Sequence, residues 1–349
     1  LMSDLNFNSK YSYVNGNITV DGNIPSCNSI EELKKVLTEN EGFYPIGDGK
    51  NNNSNFKGVF NGNNKVIKNL YINRPDSIVG LFGACIIREE NVTIKNLEIS
   101  GRIIGNVAGG IIGSVTVTTT TQYNYNIENC VNNVNIEAQN AAGGIVGSKN
   151  SSEGDLIISN CTNNGIIKGG NYTGGIIGNA YSNVIVLNSC NNKDVYGGAS
   201  EGYSGVGGIV GFGFNSLSIF NSYNTGSIET IRNGGGIIGY FNWGSCNIEN
   251  CFNTANITGN TTGGIGGSIN SSHDLLITQN CYYLNKNMSK GFGNSNMETS
   301  EDINGISDTE IKSSEILEKL NEYVATNKEK EGIQLNKWVQ GSDGYPIFE

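Results

Sequence analysis

The chain has 349 residues, enough for two ordinary domains unless an internal repeat absorbs the length. Gly at 49 residues, Asn commoner still and Pro at only 4 describe a turn-rich but ordered chain, and the 37% hydrophobic fraction leans to Ile and Val, which favours strands. The net charge of -10 argues against a nucleic-acid partner, and no apolar run approaches the ~18 to 20 residues of a membrane span, so direct membrane insertion is not expected.

The opening Leu1-Met2-Ser3-Asp4 lacks a basic-then-apolar leader, which places any export signal or wall anchor outside this segment. From Ser29 to Leu37, Ser29 and Glu32 form a capping-box pair, and Ile30, Leu33, Val36 and Leu37 recur at helical spacing. This predicts an amphipathic helix over the first coil, with residues 1–45 as an N-terminal strand and cap.

The element Gly-Gly-Ile-(Ile/Val)-Gly then recurs at Gly109 to Gly113, Gly143 to Gly147, Gly174 to Gly178, Gly207 to Gly211 and Gly235 to Gly239. Val79 to Gly83 begins the series and Gly263 to Gly267 continues it. Between these blocks (Ile/Leu)-x-(Asn/Ser)-Cys ends at Cys130, Cys161, Cys190, Cys251 and Cys281, with Tyr223 in the same place. A period of about thirty residues with two-residue alternation and no helical periodicity means stacked coils of short strands, three per coil on this reading. The fold class expected is all-β: a right-handed parallel β-helix of about eight coils over residues 46–290, with short helical caps at both ends.

The Gly pairs suit positive φ at corners and close approach between coils, and the Asn beside each Cys suits a left-handed corner that bonds up and down the stack. Five of the 8 cysteines fall once per coil without any CxxC, so they are expected to form a reduced internal column, with no disulfide framework and no metal site. Cys246 and Cys251 are the only local candidate pair. Beyond residue 290, Ile311, Ile316, Leu317, Leu320 and Val324 lie at helical spacing, followed by Trp338 and Tyr345-Pro346-Ile347-Phe348. Residues 291–349 are thus a C-terminal cap and closing tail that folds back on the last coil.

Phe43-Tyr44-Pro45-Ile46-Gly47, Phe56 to Asn63, Ile67-Lys68-Asn69-Leu70-Tyr71-Ile72 and Val79-Gly80-Leu81-Phe82-Gly83 share a pattern with the Gly-Gly-Ile-Ile-Gly and Asn-Cys elements and the closing Trp338 with Tyr345-Pro346. Through these, nearly the whole chain resembles the GLUG-motif family of bacterial surface proteins, whose coils also occur in the non-catalytic region of IgA-cleaving metallopeptidases. The resemblance implies a β-solenoid surface scaffold and carries over no catalytic residue. Asn61 stands where that family often has Asp, which leaves the turn intact.

Enzymes on β-helices need carboxylates clustered on adjacent coils. Glu128 and Glu249 share a register four coils apart, and Glu137 and Glu229 are three apart. His273, in Ser271-Ser272-His273-Asp274, is the only histidine, and adjacent residues rarely build a triad. No P-loop, dinucleotide or His-Glu-x-x-His motif occurs, so no catalytic residue, cofactor or metal is assigned.

Aromatic residues are the better lead. After the Gly-Gly-Ile-x-Gly element, three successive coils carry Tyr181, then Phe212 and Phe214, then Tyr240, Phe241 and Trp243, which could line one ligand-binding ridge. Tyr123 and Tyr125, near the Thr116 to Thr121 excursion, form a second, weaker candidate. The expectation is a non-catalytic, monomeric, extracellular rod of a bacterial surface protein, an adhesin, ligand-binding element or spacer whose partners are host or cell-wall glycans or proteins. The alternatives are a polysaccharide lyase or hydrolase, and an accessory region of a larger surface metallopeptidase.

Overall fold

The computed structural model describes residues 1–7, 11–14, 17–20, 42–48, 55–87, 90–118, 123–198, 202–270, 276–295 and 302–349. The expected helix from Ser29 to Leu37, Cys27, and His273 with Asp274 lie outside them.

The chain winds into a β-solenoid of about 7 turns, against the eight coils expected. Its strands pair in parallel with the coil before and the coil after: Leu156–Ser159 lies in register between Tyr125–Glu128 and Val184–Leu187. A coil is built from five short segments rather than three, for example Val146–Lys149, Leu156–Ser159, Thr162–Asn163, Ile167–Lys168 and Tyr172–Gly174. One of the extra breaks in each coil is a left-handed corner. Asn96, Asn129, Asn160, Asn188, Asn221, Asn250 and Asn280 all have φ between 47° and 57°, the conformation for which Asn is better suited than any other residue with a side chain.

Inside the coils, Ile and Val alternate inward and form one apolar column per strand position, including Ile94, Ile127, Ile158, Val186, Ile219 and Ile248. A buried asparagine ladder runs through the same interior. Asn132, Asn163, Asn191 and Asn224 each donate Nδ2 to the Oδ1 of the next at 2.7 Å, and the ladder ends on Asn253. Such a ladder satisfies polar groups that would otherwise cost about 1–3 kcal/mol each when buried. The second Gly of each pair from Gly109-Gly110 to Gly235-Gly236 packs against it. A Cβ on Gly144 would overlap the Gly175 carbonyl and the Asn163 amide. The paired glycines themselves do not take positive φ, so of the two roles expected for them the structure uses only close approach.

The cysteine column is real but one member is misplaced. Cys130 and Cys161 are in register, and so are Cys251 and Cys281, but the positions between them are Ser189 and Ser222. Cys190 pairs with Thr162 and Tyr223, one residue further on and facing outward. The inward position needs a small hydrogen donor beside the Asn corner. Cys161 Sγ donates to Ser159 O at 3.2 Å, and Ser189 Oγ donates to Leu187 O at 2.9 Å in the same way. Serine therefore substitutes for the thiol, and an alignment on Cys slips by one residue at Cys190.

The C-terminal tail contains the helices Asp308–Ile311 and Ser314–Asn327, with Ser307–Glu310 as a capping box, and the hairpin Trp338–Gln340 with Pro346–Phe348. It reaches well beyond the last coil, along the outer side of five coils. Asn336 Nδ2 donates to Asn160 Oδ1 at 3.1 Å, Trp338 Nε1 to Asn221 Oδ1 at 2.7 Å, and Asn250 Nδ2 to Leu320 O at 3.2 Å. The same corner asparagines that close the coils thus dock the tail. Under it a second apolar cluster gathers Leu187, Cys190, Phe220, Tyr223, Phe252 and Tyr282 against Leu320, Tyr323 and Trp338.

Candidate functional site

The six aromatic residues expected to form one ridge divide into three environments. Strand alternation turns Phe212, Phe214 and Tyr240 outward and Gly213 and Phe241 inward. Phe241 is therefore a core residue, filling the space that Gly213 leaves on the coil before. Tyr125 is likewise buried in the core and Tyr123 packs partly against it, so the second aromatic candidate does not form a surface pair.

Phe212 and Tyr240 belong to a roofed ladder. Tyr172 to Phe212 is 4.9 Å between ring centroids, Phe212 to Tyr240 is 5.7 Å, and Tyr203 stacks on Tyr240 at 5.9 Å. The two middle rings are buried, and burial raises the Tyr240 hydroxyl above the usual phenol range. The end ring, Tyr203, is exposed; neither it nor Tyr172 stood out in the sequence because both precede their glycine element.

The remaining three form an open ladder on the same outer face. Tyr181 and Phe214 stack at 4.9 Å with ring planes 17° apart, and Phe214 meets Trp243 at 5.7 Å and 32°. Rings this close cannot lie side by side in one plane, so the stack turns faces toward each other and fans open at Trp243. Tyr181 is 40% and Trp243 50% exposed, with Phe214 half-buried between them.

Trp243 reaches this place through a β-bulge. Phe214 pairs with Asn242 and Asn215 with Gly244, leaving Trp243 as the extra residue. Its φ is 62°, a left-handed conformation that costs a bulky side chain roughly 1–2 kcal/mol. Tyr181 is held from below. Its N–H donates to Lys149 O at 3.3 Å, and Asn183 Nδ2 donates to Ser152 O at 3.3 Å.

Lys149, unnoticed in the sequence, occupies an inward position between Val115 and Ala180. It is 0% exposed, its Nζ donates to Ser151 O at 2.6 Å and Glu153 O at 3.3 Å, and burial pushes its pKa down to about 8. The signal was present: counting alternation from Gly147 puts position 149 inside.

The carboxylates are dispersed. Glu128 stands at the coil of Cys130, whereas Glu249 is buried beneath the tail, where it accepts hydrogen bonds from the Tyr323 hydroxyl and from Lys330 Nζ at 3.0 Å. The register they share is filled between them by Ser159, Leu187 and Phe220. Glu137 forms a surface pair with Arg102 at 3.2 Å. Burial raises the thiols of Cys161 and Cys281, that of Cys281 to about 12, so these two remain protonated and poor nucleophiles. Among the described residues no group of three or more His, Cys, Asp or Glu is placed to hold a metal ion.

No family model and no curated protein matches the chain. A solved structure described as a "putative immunoglobulin A1 protease" from Bacteroides ovatus is similar over 86% of this chain and 80% of that one, at 20% identity and a TM-score of 0.48. At that level the likeness assigns no activity and no residue role here.

Proposed function

We propose that this chain is a non-catalytic β-solenoid module of a bacterial cell-surface protein, a rigid rod that meets glycan or protein partners through the open ladder of Tyr181, Phe214 and Trp243. The observation that carries this reading is Trp243: half exposed, carried on a bulge and held in a conformation that disfavours it. Strain of this kind persists where the surroundings impose it, and it concentrates at sites that touch something else. A role confined to packing would be better served by a buried ring in an ordinary strand conformation. The non-catalytic part of the proposal is supported by the separation of Glu128 from Glu249 and by the engagement of Glu249 with Tyr323 and Lys330.

The test is binding of the purified chain to a glycan and surface-protein array, wild type against Trp243→Ala, with bound glycans then analysed for cleavage products. Binding that requires Trp243 and leaves the ligand intact supports the proposal. Product release that disappears in His273→Ala or Asp274→Ala supports a polysaccharide-active enzyme instead.

A further inference from the structure

We infer that the ligand of the open ladder is a neutral, hydroxyl-rich glycan laid along the rod axis across three coils, an assignment that rests on the ladder being a binding site. The first argument is charge. The segments that build the site, 178–188, 210–222 and 238–248, contain no Asp, Glu, Lys or Arg. On the coil before, the carboxylates Glu153 and Asp155 are acidic, while the nearby cation, Lys149, is buried with its ammonium committed to Ser151 O and Glu153 O. Among the described residues, a sulfated, carboxylated or phosphorylated ligand would meet no available cation there and would meet acidic neighbours, in a chain of net charge -10.

The second argument is the pairing of ring surface with side-chain amides. The part-exposed amides of Asn183, Asn215 and Asn242 lie on the same segments as the three rings, and an amide side chain can both donate and accept, the inventory that sugar hydroxyls require. Apolar C–H faces of a sugar suit the exposed parts of Trp243 and Tyr181. Those two rings are two coils apart, about 10 Å at the parallel-strand spacing, a length that two or three consecutive sugar rings span. The array is amide and aromatic throughout, and such a surface selects for uncharged hydroxyl-bearing chains.

The chain carries its own reporter, because of its two tryptophans Trp338 is 2% exposed where the tail meets the coils and Trp243 is 50% exposed in the ladder. Emission of the full chain is titrated with soluble galactomannan, xyloglucan, mannan and dextran, and in parallel with polygalacturonate and hyaluronan. At least one neutral polymer is expected to give a saturable blue shift that changes little with salt, with affinity falling roughly tenfold or more in Tyr181→Ala by the same emission and in Trp243→Ala, which lacks the reporter, by titration calorimetry. The buried Trp338 signal checks that each variant is folded, and Tyr181→Ala carries the test should Trp243→Ala fail to fold. Silence from every neutral polymer, or neutral binding indifferent to both substitutions, overturns the inference. Binding through Trp243 of acidic polymers or of proteins alone overturns it while leaving the ladder a binding site, and an array on which nothing depends on Trp243 removes both.

Discussion

Two aromatic strips run along the outside of the same rod, and the chain treats them differently. Tyr223, Phe252 and Tyr282 follow Cys190 up one side and are closed over by the tail, with Trp338 within 5.8 Å of Tyr223, 5.5 Å of Phe252 and 4.5 Å of Phe348. Trp338 also has its indole N–H on Asn221 Oδ1. Tyr181, Phe214 and Trp243 follow another side and end half in solvent on a strained bulge. The protein covers one strip with its own C-terminal segment and leaves the other open at a cost in backbone energy. Even the covered face is divided. Around Asn96 and Asn129 the outer positions carry Lys95, Glu98 and Glu128 and stay solvated, whereas around Asn188 and Asn221 they carry Leu187, Phe220 and Tyr223, and there the tail lies.

The largest expected effect falls on the covered strip. Trp338→Ala should cost about 3–5 kcal/mol, because it opens a cavity among three rings and removes one of the two donors to Asn221 Oδ1, leaving only Asn250 Nδ2. In hydrogen exchange the amides of 307–349 should lose protection ahead of the coils. Equal loss from Trp243→Ala would erase the distinction between the strips.

Beneath the open strip, Lys149→Met should raise stability at pH 7 by up to about 3 kcal/mol, less whatever the bonds to Ser151 O and Glu153 O contribute. The folded pKa of about 8 lies below the ordinary lysine value of 10.5, so between them the unfolded chain binds more protons. Wild-type stability should therefore rise with pH from about 8 to 10.5 and fall as pH drops back through 8, and the variant should lack that slope. Urea midpoints across that range measure it, and a flat wild-type profile would contradict the buried ammonium.

Smaller again is the thiol column. Cys161→Ser should change stability by less than about 1 kcal/mol, since Ser189 and Ser222 already do the same work, while Cys161→Ala should cost about 1–2 kcal/mol through the lost sulfur volume and the lost hydrogen bond to the Ser159 carbonyl. Thermal denaturation of the two variants separates hydrogen bonding from simple space filling. A serine variant as damaged as the alanine one would point to sulfur packing instead.

The column also shows what could be read before any coordinates. Period, parallel stacking and the left-handed asparagines followed from spacing and residue type, because each is a local demand repeated in every coil. Cys190 was misread because thiol and hydroxyl satisfy the same carbonyl, so identity did not mark register. Phe241 was misread because adjacency was taken for a shared face, although alternation from Phe212 and Gly213 already assigned it inward. The tail's footprint depends on contacts between residues more than a hundred apart, such as Asn188 with Gln334, which no local pattern encodes. The openness of the Trp243 strip depends on one inserted residue, visible only once Phe214 and Asn242 are paired.

The most direct test is equilibrium unfolding of Trp243→Asn beside the wild type. Asparagine is at ease at positive φ, as Asn183 and Asn215 on the two preceding coils show, and the substitution gives up only the ring contact with Phe214. Stability unchanged, or higher by up to about 1 kcal/mol, is the predicted result and means that the indole is held there for an external contact. A loss beyond about 2 kcal/mol would mean that Trp243 is a packing residue like Trp338, and that the rod has no open strip.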